Sequence, residues 1–200
     1  MHVISIAPFV TANAFDSPVE LAIRKAYLET ARKMLTQHSI TIEQTETSMT
    51  PGVPYMLEWR EPVKYGSGGN VGKLRKMCED GNALAGSVPV IFTMFYNQTD
   101  YGITVLKGHE LNEDKNWGPY ILINIRLQSR FNAVLLHELI HAAYDSKAYS
   151  FKQPGHDAET NSIFYTHSQS KGEEQAQSQV WLPGKHVTAL RKADFTAFKP

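Results

Sequence analysis

Three residues in the run AVLLHELIHAAY, positions 133 to 144, carry side chains that bind metal ions or move protons: His137, Glu138 and His141. If the run is helical, residues four apart face the same way. Both imidazoles then aim at a single ion. Glu138, beside them on the same side of the helix, is placed to hold a water and take its proton. The run is otherwise apolar, and two histidines and a glutamate are costly to bury there unless they are paired or bound. The chemistry implied is hydrolysis by a water that one zinc ion activates, with Glu138 as the general base. A catalytic zinc site needs three protein ligands and one open position. The two histidines therefore require a third partner.

Downstream candidates are Asp145, His156, Asp157, Glu159, His167, Glu173, Glu174 and His186. Asp145 is one turn too far along the same helix. Pro154-Gly155 in KQPGHD is a chain-reversal signal, and a turn there brings His156 back toward the ion. Glu159 in HDAETNSIF and Glu173 or Glu174 in GEEQAQSQVW stay open as carboxylate alternatives. His167 follows SIFYT and could line the cleft. His2, His38, His109 and His186 are isolated and read as surface or core histidines.

HELIHAAYDSKAYSFKQPGHD followed by NSIFY resembles the metzincin branch of zinc metallopeptidases, over residues from about 89 to the end. In that family the motif helix is followed by a glycine turn, a third histidine, usually an acidic residue, and a later methionine turn. The resemblance implies a zincin-like fold, one catalytic Zn²⁺ held by His137, His141 and His156, and an acidic follower in Asp157. It also implies an apolar floor beneath the ion at Phe164, where the family has methionine. This chain departs from the compact family spacing, with Tyr144 and Lys147 where glycine and histidine would stand. A transition-state role for Tyr165 is a further suggestion of the same resemblance. The rival branch, the gluzincins, takes its third ligand from a glutamate on a second helix, which Glu159, Glu173 or Glu174 would supply.

The elements that must position these residues can be read from periodicity. HVISIAPFV, ITIEQT, VPVIFTMFY, GITVL and PYILINI are β-branched or aromatic runs and predict a mixed sheet of about five strands. FDSPVELAIRKAYLETARKMLTQHS predicts a long N-terminal helix, capped by Ser17 with Pro18 first and Glu20 closing a capping box. Its buried stripe is Ile23, Tyr27, Ala31, Met34 and Leu35. Residues 129 to 145 form the motif helix, and HVTALRKADFTAF predicts a C-terminal helix. Residues 49 to 70 read as a long irregular loop, with VGKLRKMCED a short helix after it. GSGGNVGKL is not a phosphate loop, because Ser67 and Leu74 occupy required positions. Strands clustered before the motif helix argue α+β, here one catalytic domain over residues 1–200.

Composition narrows the partners. Lys and Arg total 20, as do Asp and Glu, so the net charge is zero and nothing favours nucleic acid or an anionic membrane. No run approaches the ~18 apolar residues of a membrane span. The N-terminus lacks a secretion signal, which leaves a cytoplasmic site or export by a non-classical route. Cys78, the one cysteine, cannot form an internal disulfide and reads as a buried apolar residue. The expected activity is a zinc-dependent endopeptidase acting on a peptide or protein. The alternatives are a small gluzincin-type peptidase and a non-catalytic binding protein that keeps the fold.

Overall fold

A computed structural model of the chain describes residues 1–11, 18–45, 48–50, 56–57, 86–95, 101–107, 118–125, 132–145, 156–159, 162–165 and 181–199. In chain order the elements are β1 (His2–Thr11), α1 (Pro18–Thr36), β2 (Ile40–Gln44), β3 (Ser48–Thr50), β4 (Met56–Leu57) and β5 (Val88–Phe95). They continue with β6 (Gly102–Val105), β7 (Tyr120–Asn124), α2 (Val134–Tyr144), α3 (Gly184–Lys192) and β8 (Thr196–Phe198). The class is α+β, with a mixed sheet and three helices among the described residues.

The five expected strands form the main path of the sheet, in the order β2-β1-β5-β7-β6. Strands β2, β1, β5 and β7 are parallel, and β6 returns antiparallel to β7. The parallel centre explains the continuous apolar runs: every residue of β7 is buried, as are Val88 to Thr93 of β5. β1 is long enough to serve two partners on each side. β2 pairs with His2–Ile6 and β3 with Phe9–Thr11 on one side, while β8 pairs with His2–Ile4 and β5 with Ile6–Val10 on the other. Pro8 falls in the gap between β2 and β3, where its missing N–H breaks no ladder on that side.

α1 packs on β2 and against α2, and α2 packs on β6, β7 and α3. The expected stripe of α1 is inside: Ile23, Tyr27, Ala31 and Leu35 are buried and Met34 packs against the core. On α2, Leu135, Leu136, Leu139, Ile140, Ala142 and Ala143 are buried. No helix among the described residues is long and apolar enough to cross a membrane.

Three expectations change. The motif helix begins at Val134, because Asn132 takes a left-handed φ of 50° that breaks a helix entering from residue 129. The C-terminal helix ends at Lys192, and Thr196–Phe198 becomes β8 because β1 offers it an open edge. The Thr196 hydroxyl fastens this turn by donating to the Leu190 carbonyl at 2.7 Å. Within the stretch read as an irregular loop, Met49–Thr50 belongs to β3 and Met56–Leu57 forms β4. The short helix expected at 71–80, the Ser17 cap and the Glu20 side chain lie outside the described residues.

Candidate metal centre

The i, i+4 spacing on α2 places two imidazoles on one side of the helix, and His156 joins them; the turn expected at Pro154-Gly155 lies outside the described residues. The ligand atoms of His137, His141 and His156 all lie within 4.8 Å of one another. His156 Nε2 is 3.2 Å from His137 Nε2 and 3.1 Å from His141 Nε2. His137 Nδ1–H donates to the Ile163 carbonyl at 2.8 Å, which leaves its Nε2 as a lone pair facing the cluster. An imidazole N–H serves one neighbour, so three nitrogens at this spacing cannot satisfy one another by hydrogen bonds alone. Tetrahedral binding at about 2.0–2.1 Å separates ligand nitrogens by roughly 3.3–3.4 Å. The donor set therefore fits a small divalent ion. Among the described residues, this is the group of three potential ligands that gathers.

Phe164 lies under the cluster, fully buried. Its ring centroid is 5.2 Å from that of His137, 4.6 Å from His141 and 5.1 Å from His156. The resemblance implies an apolar side chain at this position. Main-chain bonds hold the surrounding segments: Asp157 N donates to Phe164 O at 3.0 Å, and Ile163 N donates to Trp181 O at 3.0 Å.

Glu138 is buried and faces β6. The Thr104 hydroxyl lies 2.7 Å from Glu138 Oε2 and 2.9 Å from its carbonyl oxygen. Gly102, two residues earlier on the same face of the strand, leaves space for the approach. A Cβ there would sit 2.9 Å from Val134 Cγ1, 3.1 Å from Glu138 Cγ and 3.2 Å from Glu138 Oε1.

Behind the cluster is a polar chain that runs from the exposed Lys185 to the buried His186. Asp157 Oδ2 accepts from Ser162 Oγ at 2.5 Å and from His186 Nε2 at 2.9 Å, and Asp157 Oδ1 pairs with Lys185. Burial opposes ionisation of Asp157, but the bonds from Lys185, Ser162 and His186 outweigh it and take the carboxyl down to about 2. Burial pushes the pKa of the fully buried His186 downward, against the pull of Asp157. The ionised carboxylate only accepts, so Nε2 carries the proton of a neutral ring. Nδ1 then accepts from the Tyr144 hydroxyl at 3.0 Å. Burial likewise lowers His156, with Asp157 opposing.

Of the other candidates, Asp145 caps α2 and accepts from Lys107 N at 2.6 Å, away from the three imidazoles. Glu159 is exposed and outside the cluster. His109, His167, Glu173 and Glu174 lie outside the described residues. His2 pairs edge-on with Phe198 at the far end of β1. Thr104, Tyr144 and Lys185 were not among the candidates; His186, counted among the downstream ligand candidates and then read as an isolated histidine, stands outside the cluster. Two signals pointed to them: Thr104 shares a strand face with Gly102, and His186 shares the apolar helix face of Leu190.

No protein-family model matches the chain, and no curated protein matches its sequence. By structure it is similar to metalloproteinase-II from Bacteroides fragilis, with a TM-score of 0.51 and 12% identity over 96% of this chain and 53% of that one. A chaperone-substrate complex aligns with a TM-score of 0.46 and 10% identity, over 71% of this chain and 24% of that one. The chain thus spans about half the length of the metalloproteinase. At this identity the likeness is one of fold.

Proposed function

We propose that the chain is a zinc-dependent metallopeptidase of metzincin type that cleaves peptide bonds internally. The observation that carries this is the convergence of His137, His141 and His156 Nε2 beside a buried Glu138. The fold shared with a metalloproteinase supports it. The exposure of Glu159 and the place of Phe164 beneath the imidazoles favour the three-histidine arrangement over the gluzincin one.

When bound, zinc supplies Lewis acidity, acidifying a water and polarising a substrate carbonyl. The chain does the rest. His137, His141 and His156 would hold the ion through Nε2, with the His137 tautomer fixed by the Ile163 carbonyl. Glu138 takes the proton of the water as its oxygen attacks the peptide carbon. It then gives that proton to the amine nitrogen as the C–N bond breaks. Thr104 holds Oε2, which fixes the carboxylate against β6. β6 ends the main path of the sheet, and an extended peptide can lie along its outer edge as an added strand.

The test is Glu138→Gln beside the parent, with zinc content by metal analysis and cleavage of a peptide library. The parent is expected to hold one zinc and to cleave; the variant is expected to hold zinc and not cleave. Cleavage by the variant at the parental rate would remove Glu138 as the base. A parent that binds zinc without cleaving any peptide would make the chain a binding protein on a peptidase fold.

A further inference from the structure

We propose that His186, on α3, is a positioning residue for the metal centre, acting on His156 through Asp157. The inference rests on the metallopeptidase reading above and adds to it a residue that touches no ligand atom. His156 is the one ligand outside α2, and among the described residues only four, 156–159, carry it. Something must fix that short segment against the helix that bears the other two imidazoles.

The contacts identify it. Asp157 follows His156 directly and receives His186 Nε2–H at 2.9 Å. The same carboxylate oxygen receives Ser162 Oγ, whose residue opens the turn that carries Phe164. The other nitrogen of His186 receives the Tyr144 hydroxyl from the last turn of α2 at 3.0 Å. One imidazole thus joins the ligand segment to the ligand helix, and the Phe164 ring lies 4.7 Å from it. Two facts set this chain apart from a plain core histidine. His186 is fully buried, and each ring nitrogen meets a partner belonging to a different wall of the site. Tyr144 also occupies the position where the compact metzincin spacing has its glycine, so the α2 end of the link lies where that spacing would turn the chain.

The two nitrogens allow a test between two polar variants. A glutamine at 186 places its amide near Nε2 and can still donate to Asp157. An asparagine places its amide near Nδ1, toward Tyr144, and cannot reach Asp157. A purely structural role predicts similar losses, since both remove the ring and keep an amide. Zinc affinity is measured by competition with a chelator, and Co²⁺ is added as a spectroscopic probe of ligand geometry. His186→Asn is expected to bind zinc about 10–100-fold more weakly, as loss of a partner behind a ligand typically does, and to shift the Co²⁺ visible bands. His186→Gln is expected to recover most of the affinity and the parental spectrum. Should His186→Asn not fold, Asp157→Ala, which removes both carboxylate oxygens and so the acceptor for His186 Nε2–H, takes its place. Equal affinities in the two His186 variants, or a parental Co²⁺ spectrum in the asparagine variant, would overturn the proposal. Failure of the metal reading itself shows separately, as a parent that binds neither ion.

Discussion

Thr104 Oγ1 lies 2.7 Å from Glu138 Oε2, across the interface between the edge strand β6 and the motif helix α2. The hydroxyl also reaches the Glu138 carbonyl at 2.9 Å. It has one proton, so the carboxylate and the carbonyl compete for it, and the ionised oxygen is the stronger acceptor. A hydrogen bond to a charged group contributes about 1.5–3 kcal/mol. Thr104→Val keeps the shape and removes the bond. We expect kcat to fall about 10–100-fold with KM and zinc content near parental, and Thr104→Ser to restore most of the rate. Steady-state kinetics on any cleaved peptide decides it; an unchanged kcat in the valine variant would show that Glu138 needs no such support.

The third ligand separates the two peptidase branches. His156→Ala is expected to weaken zinc binding on the order of a hundredfold or more, because the proposed site would lose one of its three ligands. Glu159→Ala is expected to leave it unchanged, since that carboxylate is exposed and outside the cluster. Chelator competition reads both. The reverse result would move the chain to the gluzincin arrangement.

Phe164 has a ring against all three imidazoles and none of its surface in solvent. Phe164→Ala is expected to cost about 3–5 kcal/mol in urea unfolding and to weaken metal binding as the floor opens. Phe164→Met, which restores the residue type of the resembling family, is expected to cost under about 1.5 kcal/mol and to hold zinc. A methionine variant that fell apart like the alanine one would show that aromatic contact, beyond apolar volume, supports the imidazoles.

Asp145 gives a pH prediction. Burial holds its pKa above the ordinary 3.8, against the opposing effect of Lys107. Between 3.8 and the raised value, the folded chain binds more proton at this site than the unfolded chain does. Its contribution is therefore full at low pH and is lost as pH rises through that window. Asp145→Asn keeps an acceptor for Lys107 N and removes the titration. Unfolding from pH 3 to 7 is expected to show the parent losing stability relative to the variant as pH rises. Parallel curves would count against a buried carboxylate there.

The parts legible in the sequence were those whose signal is local. His137, Glu138 and His141 sit within five residues, and helical geometry alone puts the two imidazoles on one side. His156 was singled out because it follows Pro154-Gly155, and it does reach the other two imidazoles. The β-branched runs announced β1, β2, β5, β6 and β7. What stayed hidden depends on distant partners. Thr196–Phe198 continues a helical pattern, yet its backbone pairs with His2–Ile4 at the other end of the chain. Thr104 meets Glu138 across 34 residues, and His186 meets Asp157 across 29. Hydroxyls and histidines with partners so far away resemble ordinary surface residues until the fold joins them.

Gly102 has no left-handed φ, unlike Gly86 and Gly118, so its backbone shape would suit any residue. What forbids a side chain there is clearance. The gauge between the edge that can carry a peptide and the carboxylate that would serve it is set by an atom that is missing. Even a methyl group would wedge strand and helix apart or turn the carboxylate aside, and a peptide on that strand would then ride too far from the proton acceptor. The constraint at this position is thus a mechanical tolerance of a few tenths of an ångström, written as the smallest residue available.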